Sequence, residues 1–294
     1  IIMVALQNGL VAALAGAFHL DPRLGLAVGS IPMVGGHGTA GAFGPVLEEA
    51  GVAGANAVAI ASATFGLVAG CMIGGPLAYR RIHSLNLKST ETATGSDEVT
   101  VDKNEVTGAI DSRRFLDSAL YLAIAIGAGT IVSLFLNKLM TFPSYIGAMV
   151  VAAIIRNIVD ATHKDMPMEE ISTIGSFSLS LFLGLAMMGL KLWQLAELAL
   201  PMIVMLAAQT VLMAIFAYFV VFNLLGKNYD AAVMTSGFCG FGMGATPNAM
   251  ANMQAITGVY GPAPTAFMVV PLVGSLFIDF VNATILTGFI SFLG

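Results

Sequence analysis

Charge is what this sequence has least of. Asp, Glu, Lys and Arg together make 10% of its 294 residues, where a soluble domain carries about a quarter. A chain so poor in polar groups cannot cover a water-facing globular surface, which excludes a soluble enzyme and a disordered protein. With 12 Lys and Arg against 17 Asp and Glu, the formal charge is −5, and a basic nucleic-acid footprint is excluded too. Cysteine is scarce: Cys71 and Cys239 stand in apolar, Gly-rich stretches without metal-ligand spacing, so neither a disulfide framework nor a zinc site is read. What is abundant is apolar. Hydrophobic residues make 57% of the chain, and mean hydropathy is +0.88. The 33 glycines and 17 methionines suit helices packed closely in lipid.

A spanning helix needs about 20 apolar residues. Such stretches predict spans at 1–18, 54–79, 118–137, 144–160, 172–190, 200–225 and 263–290. The fold class is therefore an all-α polytopic membrane protein. Two glycine-rich stretches cannot be good helix interiors: 34–41, Val-Gly-Gly-His-Gly-Thr-Ala-Gly, and 237–247, Gly-Phe-Cys-Gly-Phe-Gly-Met-Gly-Ala-Thr-Pro. Irregular backbone at membrane depth survives only where protein buries it or where it lines a wet cavity. The expectation is a pair of re-entrant hairpins, 28–47 and 234–252.

The polar segment 80–117 opens on Arg80-Arg81, closes on Arg113-Arg114 and is rich in Ser, Thr, Asp and Glu between them. It reads as a solvated linker. Counted over the loops, nine of the 12 cations fall on one side with this linker. Arg23, Lys138 and Lys191 fall on the other. Because cations favour the cytoplasmic side, the linker is expected in the cytoplasm and the C-terminus in the periplasm.

An internal repeat organises the rest. Ser30, Gly36, Gly38 and Thr39 match Ser236, Gly242, Gly244 and Thr246 in order, Gly66 matches Gly274, and Gln7 has a counterpart in Gln209. The second copy holds five crossings and one hairpin. An odd number of crossings puts the two copies on opposite faces, which is the inverted-repeat plan of secondary transporters. The domains are then 1–79, the C-terminal part of the first repeat; 80–117, the linker; and 118–294, the second repeat. Three crossings of the second copy lack partners in the first, so about 90 further residues with three spans are expected before Ile1.

Hairpins entering from opposite faces bring their tips together near the midplane. Each second half-helix aims N–H groups at the meeting point, which favours an anion; the first halves end there in carbonyls, which favour a cation. Gly36, Gly38, Thr39, Gly242, Gly244, Thr246 and Asn248 are the substrate-binding candidates, joined by Ser178 from the ladder Ser172, Ser176, Ser178 and Ser180. Hydroxyls in membrane helices mostly bond back to the preceding turn, and that reading of the ladder stays open. For Na⁺, a hard cation wanting oxygen ligands, the candidates are Asp279, Asn282, Ser30 and Ser236. A carboxylate at mid-span costs roughly 2.5–3.5 kcal/mol, which favours a cavity-facing Asp279; a hydrogen-bonded helix clamp is its alternative. Gln7, Asn8 and Gln209 read as interhelical glue, His37 as a proton sensor or a turn-fixing side chain, and Trp193 with Lys191 as an interfacial anchor.

No enzyme reading survives. An intramembrane aspartyl protease needs two facing aspartates, and Asp279 is the one deep aspartate. Ser30 with His37 finds Ser236 with Met243 at the matching place. Gly-rich re-entrant loops also line channels, but entry from opposite faces suits alternating access.

Several runs carry a resemblance. Gly35-Gly36-His37-Gly38-Thr39, Ala63-Thr64-Phe65-Gly66-Leu67-Val68, Gly226-Lys227-Asn228-Tyr229-Asp230 and Ala245-Thr246-Pro247 are among them. So are Leu179-Ser180-Leu181-Phe182-Leu183, Leu190-Lys191-Leu192-Trp193 and Ala251-Asn252-Met253-Gln254-Ala255-Ile256-Thr257. In these the chain resembles the bacterial sodium/glutamate symporter family, everywhere except the linker. The resemblance implies Na⁺-coupled glutamate uptake across the cell inner membrane, with Na⁺ as coupling ion and no other cofactor. It also implies ten spans in two inverted halves and a homodimer with elevator-like movement. Phe238 stands where the resemblance leads one to expect histidine. The residues alone leave another small dicarboxylate, or a channel, as alternatives.

Overall fold

The computed structural model describes residues 1–89, 112–136, 145–162, 164–188 and 196–293; for 145, 179, 183, 186, 187, 275, 276 and 279 it describes the backbone alone. The described residues are helical apart from short turns and connections, with no strands among them. Three helices are long and apolar enough to cross a membrane: Ala55–Ser84, Ser112–Leu136 and Ala199–Leu224. The chain divides into two units, 1–94 with 191–294, and 95–190.

In the first unit, α1 (Ile2–Ala17) leads to the short α2 (Pro22–Leu26), whose first turn is capped by the Asp21 carboxylate accepting from Arg23 N (2.8 Å). The path then runs back along α1. Gly25 lies so near the Val11 carbonyl that a Cβ would overlap it, and Asn8 Oδ1 accepts from Ser30 N (2.9 Å). Next come α3 (Ser30–Glu49) and α4 (Ala55–Ser84). At 1.5 Å per residue the 30 residues of α4 reach about 45 Å, longer than the roughly 30 Å hydrocarbon layer. The later helices of this unit are numbered after those of the second.

The second unit contains α5 (Ser112–Leu136), α6 (Tyr145–Ala161) and α7 (Met168–Met188). Helices α5 and α6 touch through small residues: a Cβ at Gly129 would overlap Ala148, and Gly147 N donates to Ser133 Oγ (3.1 Å). At one end Arg114 pairs with Asp165 and Glu170, each at 2.9 Å. Large apolar side chains on α5, among them Leu116, Ile131 and Phe135, are exposed, as lipid-facing positions are.

The first unit resumes with α8 (Ala199–Leu224), α9 (Tyr229–Gly244), α10 (Thr246–Tyr260), α11 (Pro264–Val273) and α12 (Asp279–Leu293). Two segments widen to π-helical turns, Ala217–Val221 within α8 and Gly274–Ile278 between α11 and α12. At the first, Arg81 lies 3.6 Å from the centre of the Tyr218 ring and donates from Nη2 to the Tyr218 carbonyl (2.5 Å). That anchorage explains one departure from the sequence reading. Helix α4 continues through Arg80-Arg81 to Ser84, and α5 starts before Arg113, so the linker's ends are helical. Its middle, 90–111, lies outside the described residues, as do Lys191 and Trp193.

Candidate functional site

Helix α3 is broken at Gly36, where φ is +59° and ψ −153°. Helices α9 and α10 are separated by Ala245 alone, at φ +93° and ψ 175°. Both residues occupy the sparsely populated region that is nearly glycine's own. The breaks touch: a Cβ on Gly36 would lie 3.5 Å from Ala245 Cβ and from the Gly244 carbonyl oxygen.

On the C-terminal side of its break the chain folds back. Asn252 Nδ2 donates to Ser236 O (3.0 Å) and Asn248 Nδ2 reaches Gly240 O (3.4 Å), so α9 and α10 form an antiparallel pair with its tip at Gly244 and Ala245. Its arms run from Tyr229 to Tyr260, longer than the 234–252 read from the sequence. At Gly36 the local geometry is the same: Gly35 is pressed by the Thr39 side chain as Gly244 is by Asn248.

The tips meet against α4. Gly66 faces the Met243 carbonyl so closely that a Cβ would overlap it, and Met33 Sδ would stand 3.1 Å from that Cβ. One and two turns on, Cβ atoms at Gly70 and Gly74 would lie 3.1 Å from Cys239 O and 3.0 Å from Ser236 O. The spacing is the small-residue stripe that lets helix backbones approach. Helix α4 also orients the two broken elements. Near its start Asn56 packs against Gly44, and His37 Nε2 meets Thr64 Oγ1 (3.0 Å). Near its end, Ala78 and Ile82 join a core with Tyr229, Met253 and Ala263. The closed end of 37–49 and the open end of the α9–α10 pair therefore sit at opposite ends of α4, with both breaks near its middle.

Three clusters of buried polar groups surround the breaks. Asn248 is clipped to α4, accepting from Cys71 Sγ (2.7 Å) and donating to Leu67 O (3.0 Å); Asn252 does the same with Gly70 O (3.0 Å). Ser30 Oγ donates to Asn282 Oδ1 (2.6 Å), and Asn282 Nδ2 returns a bond to Ser30 O (3.2 Å). Gln7 Nε2 donates to Gly242 O (2.8 Å), while Gln209 Nε2 donates to Gln7 O (3.1 Å).

The candidates read from the sequence fall as follows. Gly36, Gly38, Thr39, Gly244, Thr246 and Asn248 lie at or within one turn of the breaks. Gly242 sits behind them, making room for the Met213 side chain and offering its carbonyl to Gln7. The sequence pairs Gly36 with Gly242 and Thr39 with Thr246; in local geometry Gly36 is like Ala245, and Thr39 presses Gly35 as Asn248 presses Gly244. Spacing of glycines misled here, because Gly242 serves packing and the break itself falls on an alanine. Ser30 and Asn282 are brought together; Ser236 packs instead with Asn252 and Gly74. Ser178 is exposed on α7, in the second unit. The Asp279 backbone opens α12, and its side chain lies outside the described part. Asn252, Gly70 and Gly74 were not singled out in sequence, although the Gly66–Gly70–Gly74 spacing was there to be seen.

The sodium/glutamate symporter family profile matches residues 1–262. The chain belongs to the sodium/glutamate symporter family. It is 43% identical to the sodium/glutamate symporter of Escherichia coli (strain K12) over 291 residues, covering 97% of this chain and 72% of that protein. The sodium/glutamate symporter of Haemophilus influenzae is 37% identical over 288 residues, 95% of this chain and 70% of that protein. No solved structure matches significantly. Family membership and the apolar helices make this an integral membrane protein, and the relatives are named as transporters.

Proposed function

We propose that this protein carries glutamate into the cell together with Na⁺, binding both where the two helix breaks meet. The observation that carries the site is the contact of Gly36 with Gly244 and Ala245, reached from opposite ends of α4. The family carries the substrate and the ion.

If α4 crosses the bilayer, opposite ends of α4 are opposite faces. The broken elements then act as re-entrant hairpins of two inverted halves. Helix α4 leads into the cation-rich linker, so the α9–α10 hairpin enters from the cytoplasm of the inner membrane and the 37–49 arm rises from the periplasmic face. At the tips a helix start frees backbone N–H groups: those of the first turn of 37–49 and, in α10, that of Thr246, since Pro247 has none and Asn248 N donates to Ala245 O (3.1 Å); the Thr39 and Thr246 hydroxyls lie beside them. These hold the anionic carboxylates without a buried Arg. The carbonyl end of α9 and the residues around Ser30, Asn282 and Asp279 are the cation side. Na⁺ binding first neutralises that side and lets the acidic substrate follow. Each net positive charge moved inward down 100 mV adds about 2.3 kcal/mol of drive. The functional assembly is read as a homodimer.

The test is uptake of labelled glutamate by the native protein in proteoliposomes, with an imposed inward Na⁺ gradient and without one. Saturable accumulation above equilibrium with the gradient alone is expected. Equal uptake in both conditions, or preference for another small dicarboxylate as competitor, overturns this reading.

A further inference from the structure

We infer that the side-chain amide oxygens of Gln7 and Gln209 form a buried site for a small monovalent cation beside the carbonyl end of α9. The site rests on the symport reading above and assigns ligands to its coupling ion that the sequence reading left as glue.

Hydrogen-bond bookkeeping carries the argument. Both glutamines are fully buried. Each Nε2 donates to a backbone carbonyl, Gln7 to Gly242 O at 2.8 Å and Gln209 to Gln7 O at 3.1 Å. A carbonyl can only accept, so flipping either amide would set oxygen against oxygen, and both orientations are fixed. The two Oε1 atoms are then committed as acceptors, and neither has a donor among the described residues. A buried polar atom left unpaired is costly, because it gives up its bonds to water and gains none. Two such atoms linked through one carbonyl chain point to a bound group.

The chemistry of that group follows from its surroundings. The stretches 1–20, 198–226 and 231–244 contain no Lys, Arg, Asp or Glu, so no cationic side chain from these helices serves the two oxygens. The site lies at the C-terminal end of α9, the negative end of a helix dipole. Two amide oxygens at that end form a hard, neutral ligand set, which suits a weakly held monovalent ion. Water can complete its coordination.

The test uses the native protein in proteoliposomes, with Gln209→Met and Gln209→Glu. Gln209→Met loses both the oxygen and the bond to the Gln7 carbonyl; Gln209→Glu keeps an oxygen and, ionised beside the cation, cannot donate to that carbonyl. The difference between them therefore isolates the oxygen from the glue. Expected for Gln209→Met is at least a tenfold rise in the Na⁺ concentration for half-maximal uptake, with glutamate KM at saturating Na⁺ within twofold of wild type. The thermal shift induced by Na⁺ without glutamate should also disappear. Gln209→Glu should keep Na⁺ activation within about threefold of wild type. Unchanged Na⁺ half-saturation in Gln209→Met, or equal loss in both variants, overturns the site while leaving symport intact. Absence of Na⁺ activation in the wild type overturns the symport reading and this site together.

Discussion

Ala245 holds a backbone conformation that costs an L-residue about 1–3 kcal/mol. Replacing it with glycine should raise the thermal unfolding midpoint, because the relieved strain exceeds the added chain entropy of about 0.4–1 kcal/mol. The converse change, Gly36→Ala, should lower it by a similar strain. Gly66→Ala is the more severe substitution, since its Cβ would strike the Met243 carbonyl rather than a flexible side chain. A loss of about 1–3 kcal/mol is expected, read as a lowered midpoint with glutamate uptake lost. Outside the membrane, Asp21 caps α2 and pairs with Arg23 at 2.6 Å, which holds its carboxyl below the usual carboxylate range. A depressed folded pKa contributes stability above the unfolded value, and this is lost as pH falls through the lowered one. Asp21→Ala should cost about 1 kcal/mol at pH 7 and flatten the acid limb of the stability profile.

Between elements, Asn252 joins three helices although the sequence did not single it out. Its amide reaches both Gly70 O on α4 and Ser236 O on α9, so Asn252→Ala removes two buried hydrogen bonds that tie α10 to its neighbours. About 0.5–1.5 kcal/mol per lost bond is expected, measured by thermal unfolding in detergent, whereas Thr257→Ala, whose hydroxyl bonds back to Met253 O and Gln254 O within its own helix, should change little. The contrast explains what was legible in the sequence. The two breaks were visible because glycine runs and proline cannot continue a helix, and the long spans because apolar length is a local property. The partners of Gln7, Asn8, Asn248 and Asn252 were not visible, since Gln7 and Gly242 stand 235 positions apart and an amide carries no signature of which carbonyl it will meet. Nor does glycine spacing show that Gly242 and Ala245 differ in role, since Gly242 meets Met213 and Ala245 meets Gly36 across the fold.

For the molecule as a whole, the opposed approach of the two broken elements makes a prediction about sidedness. In a Cys71→Ser background, single cysteines at Glu49 and Val259 mark the far ends of 37–49 and of α10; both native side chains are exposed. A membrane-impermeant maleimide should modify Glu49→Cys in intact cells and Val259→Cys only after permeabilisation. Labelling of both from one side would contradict the arrangement. The glycine stripe of α4 has a mechanical corollary. It seats one tip through backbone contact while its Thr64 meets His37 beside the other and its Asn56 packs against Gly44 farther along, so this helix behaves as a splint common to both. Prising the tips apart would strip several buried amides at once, which makes the splinted block stiff, and the economical way to change which compartment it faces is to carry it bodily past its surroundings.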